Sequence, residues 1–154
     1  MTARTQSDPS GVVRALRAAH LHDAARADIL RMACERIRAW GGPYTSVYAY
    51  MLHGQELVLE SYAGRDTDHV RIPVGVGVCG TAVAQKQDLN VPDVGVVGNY
   101  LACNLYTKSE LVVLIRRGGT ILGQIDIDSD VVNGFGEHEH EDVKAVADAL
   151  AVLL

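Results

Sequence analysis

Apolar residues recur at helical spacing near both ends of the chain. Asp8 followed by Pro9 is a typical helix start, because an Asp side chain caps free N–H groups and proline is tolerated at the first helical position. The pattern therefore predicts a helix over about Pro9–His20 and a second over about Asp23–Trp40. A third is predicted at the other end, over Glu137–Leu154, with acidic residues in its first turn.

Between these helices the apolar period changes to two, which is typical of strands. The predicted strands are Tyr44–His53, Glu56–Tyr62, Val70–Pro73, Leu89–Val91, Glu110–Arg116 and Thr120–Asp128. A glycine-punctuated turn over Gly75–Gly80 opens a predicted short helix, Thr81–Gln85, and residues 93–107 form the longest irregular stretch. Helices at both ends around hairpin-linked strands predict an α+β fold, an antiparallel sheet with the helices packed on one face.

Composition narrows the function classes. The 154 residues carry a net charge of −5 without a basic cluster, so a nucleic-acid surface is not expected. No apolar stretch approaches the roughly 20 residues that span a bilayer, and the first ten residues lack the apolar segment of a secretory signal. With three cysteines, too few for a disulfide framework, we expect a cytoplasmic protein with a flexible tail over residues 1–8 and one domain over residues 9–154.

The strand Thr120–Asp128 presents two different faces, because strand side chains alternate. One face is expected to meet the helices and carries Ile121, Gly123, Ile125 and Ile127. The other is expected on the side covered only by loops and carries Leu122, Gln124, Asp126 and Asp128.

The position of Glu110 relative to these acids depends on the turn that precedes them. A two-residue turn at Gly118-Gly119 would put Glu110 on the face opposite Asp126, whereas a three-residue loop that includes Arg117 would bring all three acids together. Clustered carboxylates suit binding of an ammonium group or retention of a proton. The alternative is that acids on an uncovered face simply meet water.

The three cysteines occupy different contexts. Cys34 lies on an apolar helix stripe and is expected to be a small buried hydrophobe. Cys79 precedes a short helix, whose N-terminus favours a thiolate, and Cys103 lies in the irregular stretch. Cys79 and Cys103 are either a redox pair or two unrelated thiols.

Two other patterns carry little chemistry. His138 and His140 are two residues apart and do not share a helical face, so we expect no metal site there. The glycines of residues 75–80 do not have the spacing of a dinucleotide-binding loop.

Several segments, taken in order, resemble the free methionine-(R)-sulfoxide reductases, which are single GAF-domain enzymes. The similarity runs from about Tyr44 to the C-terminal helix. The segments that carry it are Arg71-Ile72-Pro73, Gly77-Val78-Cys79-Gly80-Thr81-Ala82, Val91-Pro92-Asp93-Val94, Ala102-Cys103, Ser109-Glu110, Gly123 and Asp126-Ile127-Asp128-Ser129. The resemblance implies the GAF fold, with about six antiparallel strands, terminal helices on one face and a ligand pocket on the other.

The resemblance also implies roles for individual residues. Cys103 matches the nucleophile that attacks the sulfoxide sulfur and becomes a sulfenic acid, which a second cysteine converts to a disulfide. Glu110, Asp126 and Asp128 match the acids that hold the substrate's amino group and assist the sulfoxide oxygen, and Tyr50 matches an aromatic of the pocket. No bound cofactor is implied; thioredoxin is the implied external reductant, and a homodimer is expected.

This chain departs from the family pattern at three places. His69 stands where the family usually has its resolving cysteine, so Cys79 would have to resolve Cys103. Ser46 stands at the position of the pocket tryptophan, and the loop before the nucleophile, which contains Tyr100, also differs. We regard His69, Ser46 and Tyr100 as further pocket candidates.

Two hypotheses for the function follow from these observations. The first is a reductase of free methionine-(R)-sulfoxide or of a similar small sulfoxide, and the alternative is a non-catalytic GAF module that binds a small ligand or senses oxidants. A cyclic-nucleotide-binding module fits less well, because three acids would repel a phosphate.

Overall fold

A computed structural model describes residues 6–96 and 106–154 of the chain. Within these residues the helices are α1 (Pro9–Leu21), α2 (Arg26–Arg38), α3 (Gly77–Gln85) and α4 (Glu137–Leu153). The strands are β1 (Ser46–His53), β2 (Glu56–Ala63), β3 (Arg71–Pro73), β4 (Leu89–Val91), β5 (Ser109–Arg117) and β6 (Thr120–Ser129). Cys103 and Tyr100 lie outside the described residues.

Local chemistry accounts for the helix limits. The Asp8 carboxylate accepts a hydrogen bond from the Gly11 N–H at 2.9 Å and caps α1, as expected. Helix α2 begins three residues later than the sequence predicted, because Asp23 adopts a left-handed backbone conformation (φ 59°) in the turn after α1. In α4 the side chain of Glu139 accepts a hydrogen bond from the backbone N–H of Gly136.

The six strands form one antiparallel sheet in the order β3-β2-β1-β6-β5-β4. Helices α1, α2 and α4 pack on one face over a core that includes Leu30, Val47, Ile127 and Val146. This arrangement confirms the predicted α+β fold with terminal helices on one face.

The opposite face is covered differently from the prediction. Helix α3 packs on it, and Val78, Cys79 and Ala82 join a second core with residues such as Tyr50 and Val112. The sequence predicted loops alone over this face, with the helix beginning at Thr81 rather than Gly77. Gly75 is a turn residue with positive φ (92°), whereas Gly80 lies within α3 and is needed for close packing, because a Cβ there would lie 2.5 Å from the Pro73 carbonyl oxygen.

The turn between β5 and β6 is the shorter of the two alternatives. Arg117 pairs with Thr120, which leaves Gly118-Gly119 as a two-residue turn. A regular hairpin closed by this turn would place Glu110 and Asp126 on opposite faces of the sheet.

A β-bulge restores the common face. Ile115 pairs with Gly123 rather than Leu122, so β6 contains one residue more than β5 over this interval. Beyond the bulge Glu110 pairs directly with Asp128, and the acids lie on one side of the sheet. The three carboxylates therefore come together without the three-residue loop.

Because of the bulge, Ile121 and Leu122 lie on the faces opposite to those predicted for them. Ile121 packs against the core beneath α3, and Leu122 packs against the core beneath the terminal helices. Simple alternation predicted the reverse, because it assumes that neither strand of the pair contains an extra residue.

In the described part of the chain, no helix has the length and apolar character required to cross a membrane.

Candidate functional site

Three carboxylates are buried on the α3 side of the sheet. Glu110, Asp126 and Asp128 are 3%, 0% and 2% exposed, so the alternative in which these acids meet water is wrong for this protein. Burying an unpaired charge is costly, and acids in such a place are usually matched to a proton or a cation.

Asp126 has the least compensated carboxylate of the three. Neither of its oxygens has a partner at ordinary hydrogen-bond geometry within the described residues, and the neighbouring Glu110 and Cys79 side chains are the groups that favour its charged form. By contrast, the hydroxyl of Thr107 lies 3.4 Å from Asp128 Oδ2. Asp126 thus offers two buried acceptor atoms to a ligand that brings donors or positive charge.

The Cys79 side chain approaches these acids from α3. It lies in the first turn of α3, where the helix dipole favours negative charge, and its Sγ is 3.7 Å from Glu110 Oε1. Ligand-type atoms of Cys79, Glu110 and Asp126 all lie within 4.8 Å of one another. The amide of Gln124, buried on the same strand face, donates to the Cys79 carbonyl oxygen at 3.0 Å and ties α3 to β6.

The acids alter one another's protonation. Burial, together with the carboxylates of Asp126 and Asp128, raises the pKa of Glu110 well above its ordinary value, and the Cys79 thiol opposes this only in part. Burial also raises the pKa of Asp126, against the opposing influence of Glu110 and Cys79. The cluster consequently retains a proton at pH values where exposed carboxyl groups have lost theirs.

Two tyrosines of β1 hold the β2–β3 connection (residues 64–70) over this face. The hydroxyl of Tyr50 donates to the His69 carbonyl oxygen at 2.7 Å, and that of Tyr48 donates to the Arg65 carbonyl oxygen at 2.8 Å. Both rings are fully buried, so the connection rests on an aromatic layer beside the acids.

Ser46 fixes the start of the same connection. Its hydroxyl accepts the Arg65 N–H at 3.0 Å, and a Cβ at Gly64 (φ +118°) would lie 2.8 Å from the Ser46 Cα. Ser46 is buried and pairs with Asp128. A small side chain at position 46 thus permits the close crossing of chain segments here.

Arg65 links the connection to the end of β6. Its guanidinium forms a bidentate ion pair with Asp130 at 2.6 Å and lies 4.9 Å from the ring centre of Tyr106. The ion pair raises the pKa of Arg65 and lowers that of Asp130. Tyr106 is the first described residue after the segment that contains Cys103.

The remaining candidates from the sequence are Cys34 and the two histidines of α4. Cys34 is buried on α2, as predicted, and desolvation raises its pKa to about 12. His138 approaches Asp142 and His140 approaches Asp88, and neither histidine joins a metal-compatible group among the described residues.

Sequence reasoning missed Tyr48, Gln124 and Arg65 as parts of this site. Tyr48 and Gln124 had a usable signal, because each alternates in step with a residue already singled out, Tyr50 and Asp126. Arg65 had none, since its contacts depend on how residues 64–70 fold back over the sheet.

The chain is similar in sequence and in structure to known GAF domains. A family model described as GAF domain matches residues 25–154. A type II free methionine-R-sulfoxide reductase from Thermoplasma acidophilum is 36% identical, with a TM-score of 0.80 over 83% of this chain and 91% of that one. A Staphylococcus aureus structure, solved as a complex of that organism's reductase with substrate, is 28% identical with a TM-score of 0.84 over 99% of both chains.

Curated sequences agree with these structures. The free methionine-R-sulfoxide reductase of Escherichia coli is 37% identical over 105 residues, 68% of this chain and 63% of that protein. Across five curated relatives, the matched region spans 51–65% of their lengths.

Proposed function

Since the chain belongs to the GAF domain family, we propose that it is a reductase of free methionine-(R)-sulfoxide or of a similar small sulfoxide. The observation that carries this proposal is the buried cluster of Cys79, Glu110 and Asp126, a thiol beside two carboxyl groups with raised pKa values. Relatives named as reductases of this sulfoxide lend the substrate class.

The acids suit the polar end of such a substrate. An amino acid brings an ammonium group, and the unpartnered carboxylate of Asp126, with Asp128 one alternate position along β6, supplies the charge to bind it. The Tyr50 ring gives the methyl-thioether end an apolar surface.

The chemistry proceeds in two thiol steps. The Cys103 thiolate attacks the sulfoxide sulfur, Glu110 gives a proton to the sulfoxide oxygen, and the S–O bond breaks as oxygen passes to the cysteine, leaving methionine and a sulfenic acid. The Cys79 thiol then displaces that oxygen as water and forms a disulfide with Cys103. Thioredoxin supplies the two electrons that return both cysteines to thiols.

A second candidate function is supported by the family departures at positions 46 and 69. Ser46 provides no aromatic wall, and His69 provides no resolving thiol. These residues favour a GAF module that binds an amine-bearing small ligand, or that senses oxidants through Cys79 and Cys103.

The test is NADPH consumption coupled to thioredoxin and its reductase, with the (R) and (S) epimers of free methionine sulfoxide assayed separately. We expect turnover with the (R) epimer alone, abolished in Cys103→Ser and nearly unchanged in the matched control Cys34→Ser. Cys79→Ser should complete one turnover and then stall as a sulfenic acid.

Other outcomes would contradict the proposed function or the role of one cysteine. No turnover of either epimer by folded, reduced protein favours the binding or sensing module. Repeated thioredoxin-driven turnover by Cys79→Ser removes Cys79 from the resolving role. Activity lost in a folded Cys34→Ser protein contradicts the assignment of Cys34 as structural.

A further inference from the structure

The buried cluster also has the composition of a metal site. It combines one thiol and two carboxyl groups, whose ligand atoms lie within 4.8 Å of one another. Both oxygens of Asp126 lack a partner at ordinary hydrogen-bond geometry among the described residues, although the side chain is completely buried. A second observation thus points to a ligand, independently of the clustering of acids.

One separation in the cluster matches that of two ligand atoms on a tetrahedral zinc ion. With Zn–S near 2.3 Å and Zn–O near 2.1 Å, a sulfur and an oxygen on the same ion lie about 3.6 Å apart. The separation of Cys79 Sγ and Glu110 Oε1 is 3.7 Å. The whole group lies within 4.8 Å, so an ion would draw its ligand atoms closer together.

The donor set selects the type of metal. Calcium and magnesium prefer oxygen ligands alone, whereas a mixture of thiolate and carboxylate suits a borderline ion such as Zn²⁺. The first turn of α3 stabilises the thiolate that such an ion needs. Between described residues, no ion pair reaches Glu110 or Asp126, so a cation would supply charge that the protein does not.

We propose that the reduced protein binds one Zn²⁺ ion through Cys79, Glu110 and Asp126, with a fourth position left for water or a small ligand. Zinc binding itself does not require the proposed reductase activity. It does require Cys79 as a thiol, because a disulfide sulfur is no longer a thiolate ligand. Where that activity operates, zinc competes with substrate for the same acids.

The experiment measures metal binding without turnover. Reduced protein carrying Cys103→Ser is titrated with Cd²⁺, which reports thiolate ligation through an ultraviolet charge-transfer band, and Zn²⁺ is then added as competitor. We expect one Cd²⁺ per chain, displaced by Zn²⁺, and a Zn²⁺-dependent rise in the thermal midpoint.

Three further variants in the Cys103→Ser background identify the ligands. Adding Cys79→Ser should remove the band, with folding confirmed by circular dichroism. Adding Asp126→Asn should weaken Cd²⁺ at least about tenfold, since even outer-shell changes cost that much. Adding Asp148→Asn, which alters an exposed carboxylate of α4 paired with Lys144, should leave the affinity unchanged.

The proposal is overturned by any of three results. The first is no band in Cys103→Ser, the second is an undiminished band without Cys79, and the third is equal affinity in the Asp126→Asn and Asp148→Asn variants. None of these depends on sulfoxide reduction, so failure of the zinc site and failure of the proposed function are distinguishable.

Discussion

Glu110 combines burial with two acidic neighbours, and its ionisation therefore opposes folding. Its folded pKa is raised, so the native state holds a proton that the unfolded chain releases above about pH 4.5. The contribution of this carboxyl to the free energy of unfolding is thus fully present below that pH and is lost as pH rises through the folded pKa.

We predict that Glu110→Gln stabilises the protein progressively as pH rises above about 4.5. The slope of the difference should reach at most about 1.4 kcal/mol per pH unit, the value for one proton. Urea unfolding at several pH values measures it. Glu56→Gln, which alters an exposed acid paired with Arg71, is the matched control and should show no such trend. A Glu110→Gln difference that is constant with pH would contradict the buried-proton account.

Single residues were predictable where their pattern is periodic. Asp126, Asp128 and Tyr50 were all singled out from strand alternation or family resemblance, and the structure places them on one face of the sheet. The burial of Asp126 was not predictable, because nothing local in the sequence indicates that α3 covers it. The roles of these residues remain predictions.

At the scale of elements, α3 determines where the Cys79 thiol lies. The helix approaches the chain between β3 and its own start so closely that only a hydrogen fits at position 80: a Cβ there would lie 2.5 Å from the Pro73 oxygen and 3.0 Å from the Gly75 nitrogen. Both contacts are with backbone, which cannot rotate away.

We predict that Gly80→Ala pushes α3 away from the sheet and costs roughly 1–3 kcal/mol, as overpacking does. Urea unfolding gives the energy, and the rate at which a thiol reagent labels Cys79 reports the displacement. Gly119→Ala is the matched control, since a Cβ there meets nothing within 4 Å. Equal stability of the two variants would show that the approach is not tight in solution.

Element limits show where the sequence prediction succeeded and failed. Strand β4 was predicted at its observed limits, and the hairpin of β1 and β2 within two residues, because polar and turn residues bound them. The start of α3 and the bulge at Leu122 were not predicted, because both depend on contacts between distant segments. Intrinsic helix propensity disfavours glycine, but in α3 tertiary packing outweighs that preference.

At the scale of the whole molecule, the sheet separates two chemistries. Three helices seal an apolar core on one face, while the other combines an apolar layer with buried acids. The architecture was predictable because amphipathic helices at both ends and alternating strands between them leave few other arrangements. The face on which Glu110 lies was not predictable, since it depends on one extra residue in the β5–β6 hairpin.

We predict that methionine and its (R)-sulfoxide raise the thermal midpoint of the reduced protein, while cyclic nucleotides do not. The ammonium group neutralises buried carboxylates only in the folded state, whereas a phosphate is repelled by them. Differential scanning fluorimetry at saturating ligand measures the shifts. Acetylated methionine, which lacks the ammonium group, is the control ligand, and stabilisation by it equal to that by methionine would contradict the role of the acids.

The hydrogen bond from Tyr50 to position 69 reaches a main-chain oxygen and not a side chain. Every amino acid offers that same oxygen, so this hydrogen bond does not depend on which side chain occupies position 69. A substitution of cysteine for His69 would therefore add a thiol to the protein and leave this hydrogen bond in place.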